Sequence, residues 1–330
     1  IVRQMLADVD RSRVVAVGHR VVHGGLRFTQ AVRIDDRVRS EIAALAPLAP
    51  LHNPAALEAI DLVADAWPDV PQIAAFDTAF HHTLPPAAYL YPVPYDWHER
   101  WGIRRFGFHG LSHAYCAGRA AEMLSRPLAD LRIVNCHLGS GCSLAAVAGG
   151  RSIATTMGFT PLDGLMMAAR PGSLDPGILT YLLGQGLVTP NELDRDLQWR
   201  SGLLGVSGVS GDMRQILAAR AAGHERATLA FDLFIARLRA EIAAMTAALG
   251  GLDALVFTAG VGEGSPEVRA AACAGLQWMG VALDPDRNLA ATSDVDVAED
   301  DSAARILVIR TQEALMVARE AARLGRRELN

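Results

Sequence analysis

Residues 135–176 read NCHLGSGCSLAAVAGGRSIATTMGFTPLDGLMMAARPGSLDP. The stretch opens at the end of a predicted strand, 131–135, apolar apart from Arg132. It breaks at His137-Leu-Gly-Ser-Gly-Cys-Ser143, where Gly139 and Gly141 are expected to leave backbone N–H groups facing an anion. A second strand over 143–148 turns at Gly149-Gly150, and a third returns from Arg151 to Thr156. Strand, glycine turn, strand, GG turn, strand is the pattern of a hairpin that grips phosphate, and not of a loop leading into a helix. Arg170 follows in a segment that Pro171 and Gly172 make tight, so a guanidinium joins the phosphate cradle. Phosphoryl transfer is the chemistry this predicts.

Composition narrows the classes. A chain of 330 residues is too long for one compact core by default, so two domains are expected. Hydrophobic content of 51% and charged content of 20% describe an ordinary folded protein. No apolar run reaches the roughly 20 residues of a membrane helix. The opening IVRQMLADVD is already charged and amphipathic, unlike a signal peptide, so a cytoplasmic location is expected. A net charge of -5 argues against nucleic acid as partner. All 31 basic residues are arginine. That removes the P-loop lysine, the protein-kinase lysine and Schiff-base chemistry together, leaving arginine, backbone amides, histidine and metal to handle phosphate. Cys116, Cys136, Cys142 and Cys273 form no CxxC pair and read as reduced thiols in apolar or tight segments.

Along the chain, 13–22 is a β-rich run ending at His23-Gly24-Gly25. Arg20 there is either a solvent-facing strand residue or, beside His19 and His23, part of a functional strand end. A helix opens at Asn53 or Pro54 and runs to about Trp67, after a Pro-bounded loop holding His52. The strand 72–76 ends in Asp77, which serves either as a chemical carboxylate at a strand terminus or as a helix cap. His109 and His113 are four apart and would share a helix face as metal ligands do. The zinc-protease pattern fails for want of a following Glu, which favours structural or substrate-facing roles. Ser112 is expected to cap a helix over 114–124. Short helices are predicted over 176–183 and 190–197, and a glycine–serine loop over 201–213. A long amphipathic helix spans 226–249, its alanine-rich face suited to close packing or a subunit interface. Strands at 253–258 and 305–309 are each followed by a helix. Strands alternate with helices throughout, which means α/β.

Three glycine turns stand at 137–143, 205–212 and 259–264, and none follows GxGxxG or GxxxxGK[ST]. Several glycine turns converging without lysine suit the nucleotide cleft of the actin and sugar-kinase type. There one hairpin holds phosphates and separate turns hold adenosine.

HRVVHGG (19–25), PLAPLHNP (47–54), FDTAFHHTLP (76–85), RFGFHGLSH (105–113), CHLGSG (136–141), residues 157–176, GDMR (211–214), FTAGVGE (257–263) and TQEA (311–314) occur in the order of the acetate kinases, which the chain resembles over nearly its whole length. The resemblance implies a two-domain actin-like ATPase (ribonuclease H-like) α/β fold. Domain I would comprise 1–79 plus 314–330 and domain II 80–313, with a cleft that closes on substrates. It implies reversible, Mg²⁺- or Mn²⁺-dependent transfer of the γ-phosphoryl of ATP to acetate, giving acetyl phosphate and ADP, in a homodimer. Arg20 and Arg170 would clamp carboxylate and phosphoryl, His109 would donate to phosphoryl oxygens, Asp77 would orient the acyl acceptor, and Glu313 would hold the metal. His52 and His137 would line the cleft, and Val22, Leu51, Phe108 and Pro161 would enclose the acetate methyl. His137, Leu138, Gly139, Ser140 and Gly141 would grip phosphate, while Asp212, Met213, Arg214, Gly260, Val261, Gly262 and Glu263 would hold adenosine.

The chemistry agrees independently. A carboxylate is already ionised at neutral pH, so charge neutralisation and in-line alignment are what must be supplied. Alternative readings are a propionate- or butyrate-type acyl kinase, and a scaffold that binds nucleotide without turnover. The second would follow if the Asn-x-Gly-Ser-Ser-Ser-x-Lys-type hairpin with which the family begins is missing, since this chain starts at Ile1. Ser140 stands where the family commonly has Asn, Gly264 likewise, and Arg170-Pro-Gly-Ser173 replaces Arg-Ser-Gly-Asp. Ser173 thus removes a carboxylate near Arg170, which is expected to raise the positive field there.

Overall fold

The computed structural model describes residues 9–50 and 52–325; Leu51, expected in the acyl pocket, lies outside them. The described strands form two sheets. In the smaller, β1 (Val17–Val21) runs parallel to β3 (Gln72–Phe76), and β2 (Val32–Arg33) pairs antiparallel on the other side of β3. Every residue of β3 is buried because both of its faces are covered. Its pleat sends Ala74 and Phe76 toward Ile42 and Ile60, on helices Asp36–Ala44 and Asn53–Ala66. Ile73 and Ala75 face the other way, onto Val317 and Ala321 of helix Glu313–Gly325.

The larger sheet has the order β6-β5-β4-β7-β9-β8. Its centre is β4 (Arg132–Leu138), antiparallel to β5 (Cys142–Ala148) and parallel to β7 (Ala254–Thr258), which runs parallel to β9 (Arg305–Val308). β6 (Arg151–Thr155) and β8 (Val295–Asp296) close the edges antiparallel. Alternation sorts the side chains again. Val134, Cys136, Leu144, Leu255 and Phe257 join the core under helix Glu225–Leu249, whose Phe231, Phe234, Leu238 and Ile242 point into it. Ile133, Ala145, Val147 and Val256 pack with Cys116, Ala117 and Ala120 of helix Gly110–Leu124. Full burial of one such Phe or Leu is worth about 1.5–3 kcal/mol, so the two cores outweigh any local propensity.

Several local expectations change. β4 runs on to Leu138, past the expected end at 135, because the pairing of Leu138 with Cys142 carries the ladder to the turn. Residues 201–213 are not one loop: Gly202–Ser207 is a short helix, and Asp212 then caps helix Met213–Ala221. The third glycine turn is likewise helical, Ala259–Gly264, with Ser265 capping helix Pro266–Cys273 behind it. Ser112 is not a cap. The Gly110 N–H bonds the Asp77 carbonyl, the helix starts at Gly110, and Ser112 sits inside it with its hydroxyl bound elsewhere.

Candidate active site

Arg20 and Asp77 come together because β1 and β3 are parallel and in register, Arg20 opposite Ala75 and Val21 opposite Phe76. Arg20 lies near the end of β1 and Asp77 directly follows β3, so both stand at the C-terminal ends of parallel strands, where such sheets present chemistry. Asp77 is 1% exposed and gives both carboxylate oxygens to Arg20, receiving Nε at 2.9 Å and Nη2 at 2.7 Å. Glu313 enters from the first turn of the last helix, with Oε1 3.2 Å from Arg20 Nη2. Burial works against the charge on Arg20, but Asp77 and, behind it, Glu313 overcome this and hold its pKa above the ordinary value. Glu313 itself is lifted above the usual carboxylate range by burial, with Arg20 opposing.

His109 is delivered to the same place by one close approach. A Cβ on Gly110 would lie 2.1 Å from the Asp77 carbonyl oxygen, so only glycine lets helix Gly110–Leu124 begin against the end of β3. His109 immediately precedes it in the left-handed region, φ 56°, an uncommon conformation for a residue with a side chain. Its ring stacks on His137, centroids 4.1 Å apart and planes within 15°. Its Nδ1 is 2.9 Å from Ser143 Oγ, and that oxygen is 2.7 Å from His113 Nε2. His137 Nδ1 is 2.8 Å from Ser112 Oγ, which Thr311 Oγ1 reaches at 2.9 Å. Burial first, then the neighbouring histidines and the two arginines, holds His109 neutral, well below the ordinary imidazole range. Burial and the charge of Arg20 bring His137 to about 3.

The glycine turn meets Arg170 from the other sheet. A Cβ on Gly141 would lie 2.7 Å from Arg170 Nη2 and 3.3 Å from His109 Cε1, so this glycine is the gap through which the two groups approach. Arg170 is half-buried, and its Nη1 donates to the Pro161 carbonyl at 2.7 Å. Among the described residues no carboxylate pairs with it. Burial lowers its pKa from the arginine value without discharging it. The Ser173 hydroxyl donates to Asp163 Oδ1 at 2.7 Å. The Gly139 N–H is not free for an anion as expected; it closes the turn onto the Gly141 carbonyl at 3.0 Å.

A cavity of about 850 Å³ adjoins this turn, lined by Gly139, Ser140, Asp212, Met213, Arg214, Gly260 and Val261 among others. Leu138 and Gly262 are buried away from it. Glu263 is also turned inward, its Oε1 accepting from the Ala259 and Thr311 N–H groups and so tying this turn to the end of the last strand. Sequence reasoning missed Arg269, which is 1% exposed and fastens the Gly262 and Glu263 carbonyls at 2.9 and 2.7 Å. An arginine set between Val268 and three alanines was its signal. Phe108 is core, 1% exposed, with Val22 packed on the same cluster. His52 stands at the exposed mouth, where partial burial and then the charges of Arg170 and Arg20 lower its pKa.

For Mg²⁺ the donor set is sparse but suitable. Glu313 Oε1 is buried and accepts no hydrogen bond, while both Asp77 oxygens are engaged. A cation that keeps most of its water and takes one carboxylate plus substrate phosphates fits such a site.

A 312-residue stretch is 58% identical to the acetate kinase of Gloeobacter violaceus, covering 94% of this chain and 77% of that protein. The crystal structure of Porphyromonas gingivalis acetate kinase superposes with a TM-score of 0.91 at 39% identity, over 96% of this chain and 79% of that one. A propionate kinase from Francisella tularensis superposes with a TM-score of 0.90 at 39% identity, over 94% and 80%. The two-sheet α/β arrangement is accordingly the actin-like ATPase fold. With the acetokinase family model matching residues 1–319, the chain belongs to the acetokinase family.

Proposed function

We propose that this chain transfers the γ-phosphoryl group of ATP to acetate, and back, by direct in-line displacement. The observation that carries the reading is Arg170: a half-buried guanidinium with no carboxylate partner among the described residues, meeting His109 across Gly141. Such a charge is costly to hold unless an anion answers it.

The acetate carboxylate attacks phosphorus, the bond from phosphorus to the β–γ bridging oxygen breaks, and no proton need move. Arg170 and Arg20 neutralise charge on the three equatorial oxygens and on the carboxylate. Neutral His109 donates a hydrogen bond to one equatorial oxygen. Asp77 acts through Arg20, fixing the fork rather than touching the acceptor. Glu313, through water, would hold Mg²⁺ or Mn²⁺, which when bound supplies charge neutralisation on the β- and γ-phosphates. The cavity beside Gly139 and Gly260 takes the adenosine. Val22, Phe108 and Pro161 enclose the acyl methyl, with His52 and His137 at the rim. The chain divides at this cleft into two lobes, 1–79 with 314–330 and 80–313, whose closure excludes water.

A second copy of the chain covers the helix Pro176–Gly184. That helix is apolar, yet none of its residues is buried. Ile178, Tyr181 and Leu187 just beyond it are 47%, 62% and 61% exposed, an outlay of apolar surface that a homodimer accounts for.

The test is acyl-phosphate formation from ATP, Mg²⁺ and acetate, trapped with hydroxylamine, with propionate and butyrate in parallel. Acetate should give the highest kcat/KM. Preference for propionate, as the likeness to the Francisella tularensis protein also allows, would move the substrate by one carbon. Nucleotide binding without any product would replace the reading with that of a non-catalytic scaffold.

A further inference from the structure

We propose that Ser143 and His113 are positioning residues that hold His109 in the tautomer with its proton on Nε2, so that the ring presents a standing N–H donor to the reacting phosphoryl group. This rests on the donor role proposed above for His109.

Ser143 is fully buried on β5, opposite His137 in the ladder. Its hydroxyl lies 2.9 Å from His109 Nδ1 and 2.7 Å from His113 Nε2, and it owns one proton. With both rings neutral there are four tautomer pairs. The one in which neither ring donates sets two bare nitrogens against a single hydroxyl proton and orphans an N–H at His113 Nδ1, which leaves three. If His109 donates from Nδ1 and Ser143 donates on to His113 Nε2, then His113 must carry its proton on Nδ1. That atom is buried with no partner, so an N–H would be left orphaned. If both rings donate to Ser143, the hydroxyl proton is left without an acceptor. In the third arrangement His113 Nε2–H donates to Ser143 Oγ, and Ser143 donates to His109 Nδ1. The only buried, unpaired atom of these three side chains is then a bare lone pair on His113 Nδ1, while the His109 Nε2–H is left for a ligand. A buried donor without a partner is rarer and costs more than an under-used acceptor, so the third arrangement prevails.

The consequence reaches the cleft. With Nδ1 accepting from Ser143, the His109 proton resides on Nε2, the atom that faces Gly141 and, beyond it, Arg170. The expected shared helix face does not form, since His109 stands just ahead of the helix and only His113 lies within its first turn; together they still bring two rings to a single hydroxyl. His113 is itself anchored, since Asn135 Nδ2 donates to its carbonyl at 3.0 Å. Stacking on His137 fixes the plane of the His109 ring, and Ser143 fixes which nitrogen carries the proton.

The experiment reads the protons directly, on the ¹⁵N-labelled full chain without substrate, by long-range ¹H–¹⁵N correlation of the histidine rings. His109 should show a bare Nδ1 and a protonated Nε2, and His113 a protonated Nε2; a proton on His109 Nδ1 overturns the proposal. Ser143→Ala should mix the His109 tautomers and lower kcat by about tenfold, equal to about 1.4 kcal/mol of barrier. The KM for ATP should stay within about twofold, since only transition-state stabilisation is lost. Ser143→Thr should restore the tautomer and most of kcat. Unchanged tautomer or unchanged kcat in Ser143→Ala would each overturn the proposal. If neither variant folds, the wild-type spectrum decides alone. Wild-type chain with the stated tautomers but no acetyl phosphate would sink the proposed function and not the proton assignment.

Discussion

The two arginines of the cleft sit under opposite electrostatics. Arg20, at the end of β1, spends its fork on Asp77 and has Glu313 beside it. Arg170, on the loop after the phosphate hairpin, has one carbonyl and no acid among the described residues. Arg20 is therefore fixed in place and largely neutralised before any ligand arrives, whereas Arg170 holds a charge that only a ligand can answer. One serves alignment, the other attraction, and the chemistry proposed here needs both.

The sharpest way to break the contrast is Arg170→Ala. Removing a charge that phosphoryl alone compensates should cost on the order of 10³ in kcat, with ATP binding near normal. A loss below about tenfold would show that Arg170 does not meet the transferring group. Next is Asp77→Asn, which keeps one acceptor for Arg20 but not the bidentate pair. It should raise the acetate KM and lower kcat/KM by on the order of 10²-fold, in the range of an interaction of a few kcal/mol. A fall in kcat with acetate KM unmoved would instead make Asp77 act on the acceptor itself. Glu313→Gln should raise the Mg²⁺ concentration for half-maximal rate by about tenfold, the lower range for a group acting through water. An unchanged titration would detach Glu313 from the metal.

The smallest effect concerns stability. His23 and His81 are brought to about 4 and His137 to about 3, each chiefly by burial. An unfolded histidine titrates near 6.5, so below that pH the unfolded chain takes up protons that the folded chain refuses. Stability from these three groups is present above about pH 6.5 and is lost as pH falls toward about 4, by up to about 1.4 kcal/mol per pH unit for each. Tm should therefore drop between pH 6.5 and 4.5; a flat Tm over that interval would mean that these rings are not held neutral.

The hairpin, Arg170 beyond it and the alternation of strand and helix were legible because glycine turns and apolar runs are local signals. What stayed hidden was set by contacts between distant segments. Ser112 looks like a cap in sequence, yet the Asp77 carbonyl starts the helix two residues earlier. Gly139 looks free to bind an anion, yet its N–H is needed to close the turn. Glu263 reads as part of a nucleotide loop, yet folding turns it toward Thr311. Ser143, one hydroxyl in an apolar strand, gains its place only when β5 comes to lie beside His109 and His113.

That every cation in these 330 residues is an arginine has a chemical consequence. An acyl phosphate acylates free amines, and lysine is the side chain most open to it. Acylation would erase positive charge. Guanidiniums offer the product no such nucleophile, so the side chains that carry charge at the cleft are not consumed by what is made there.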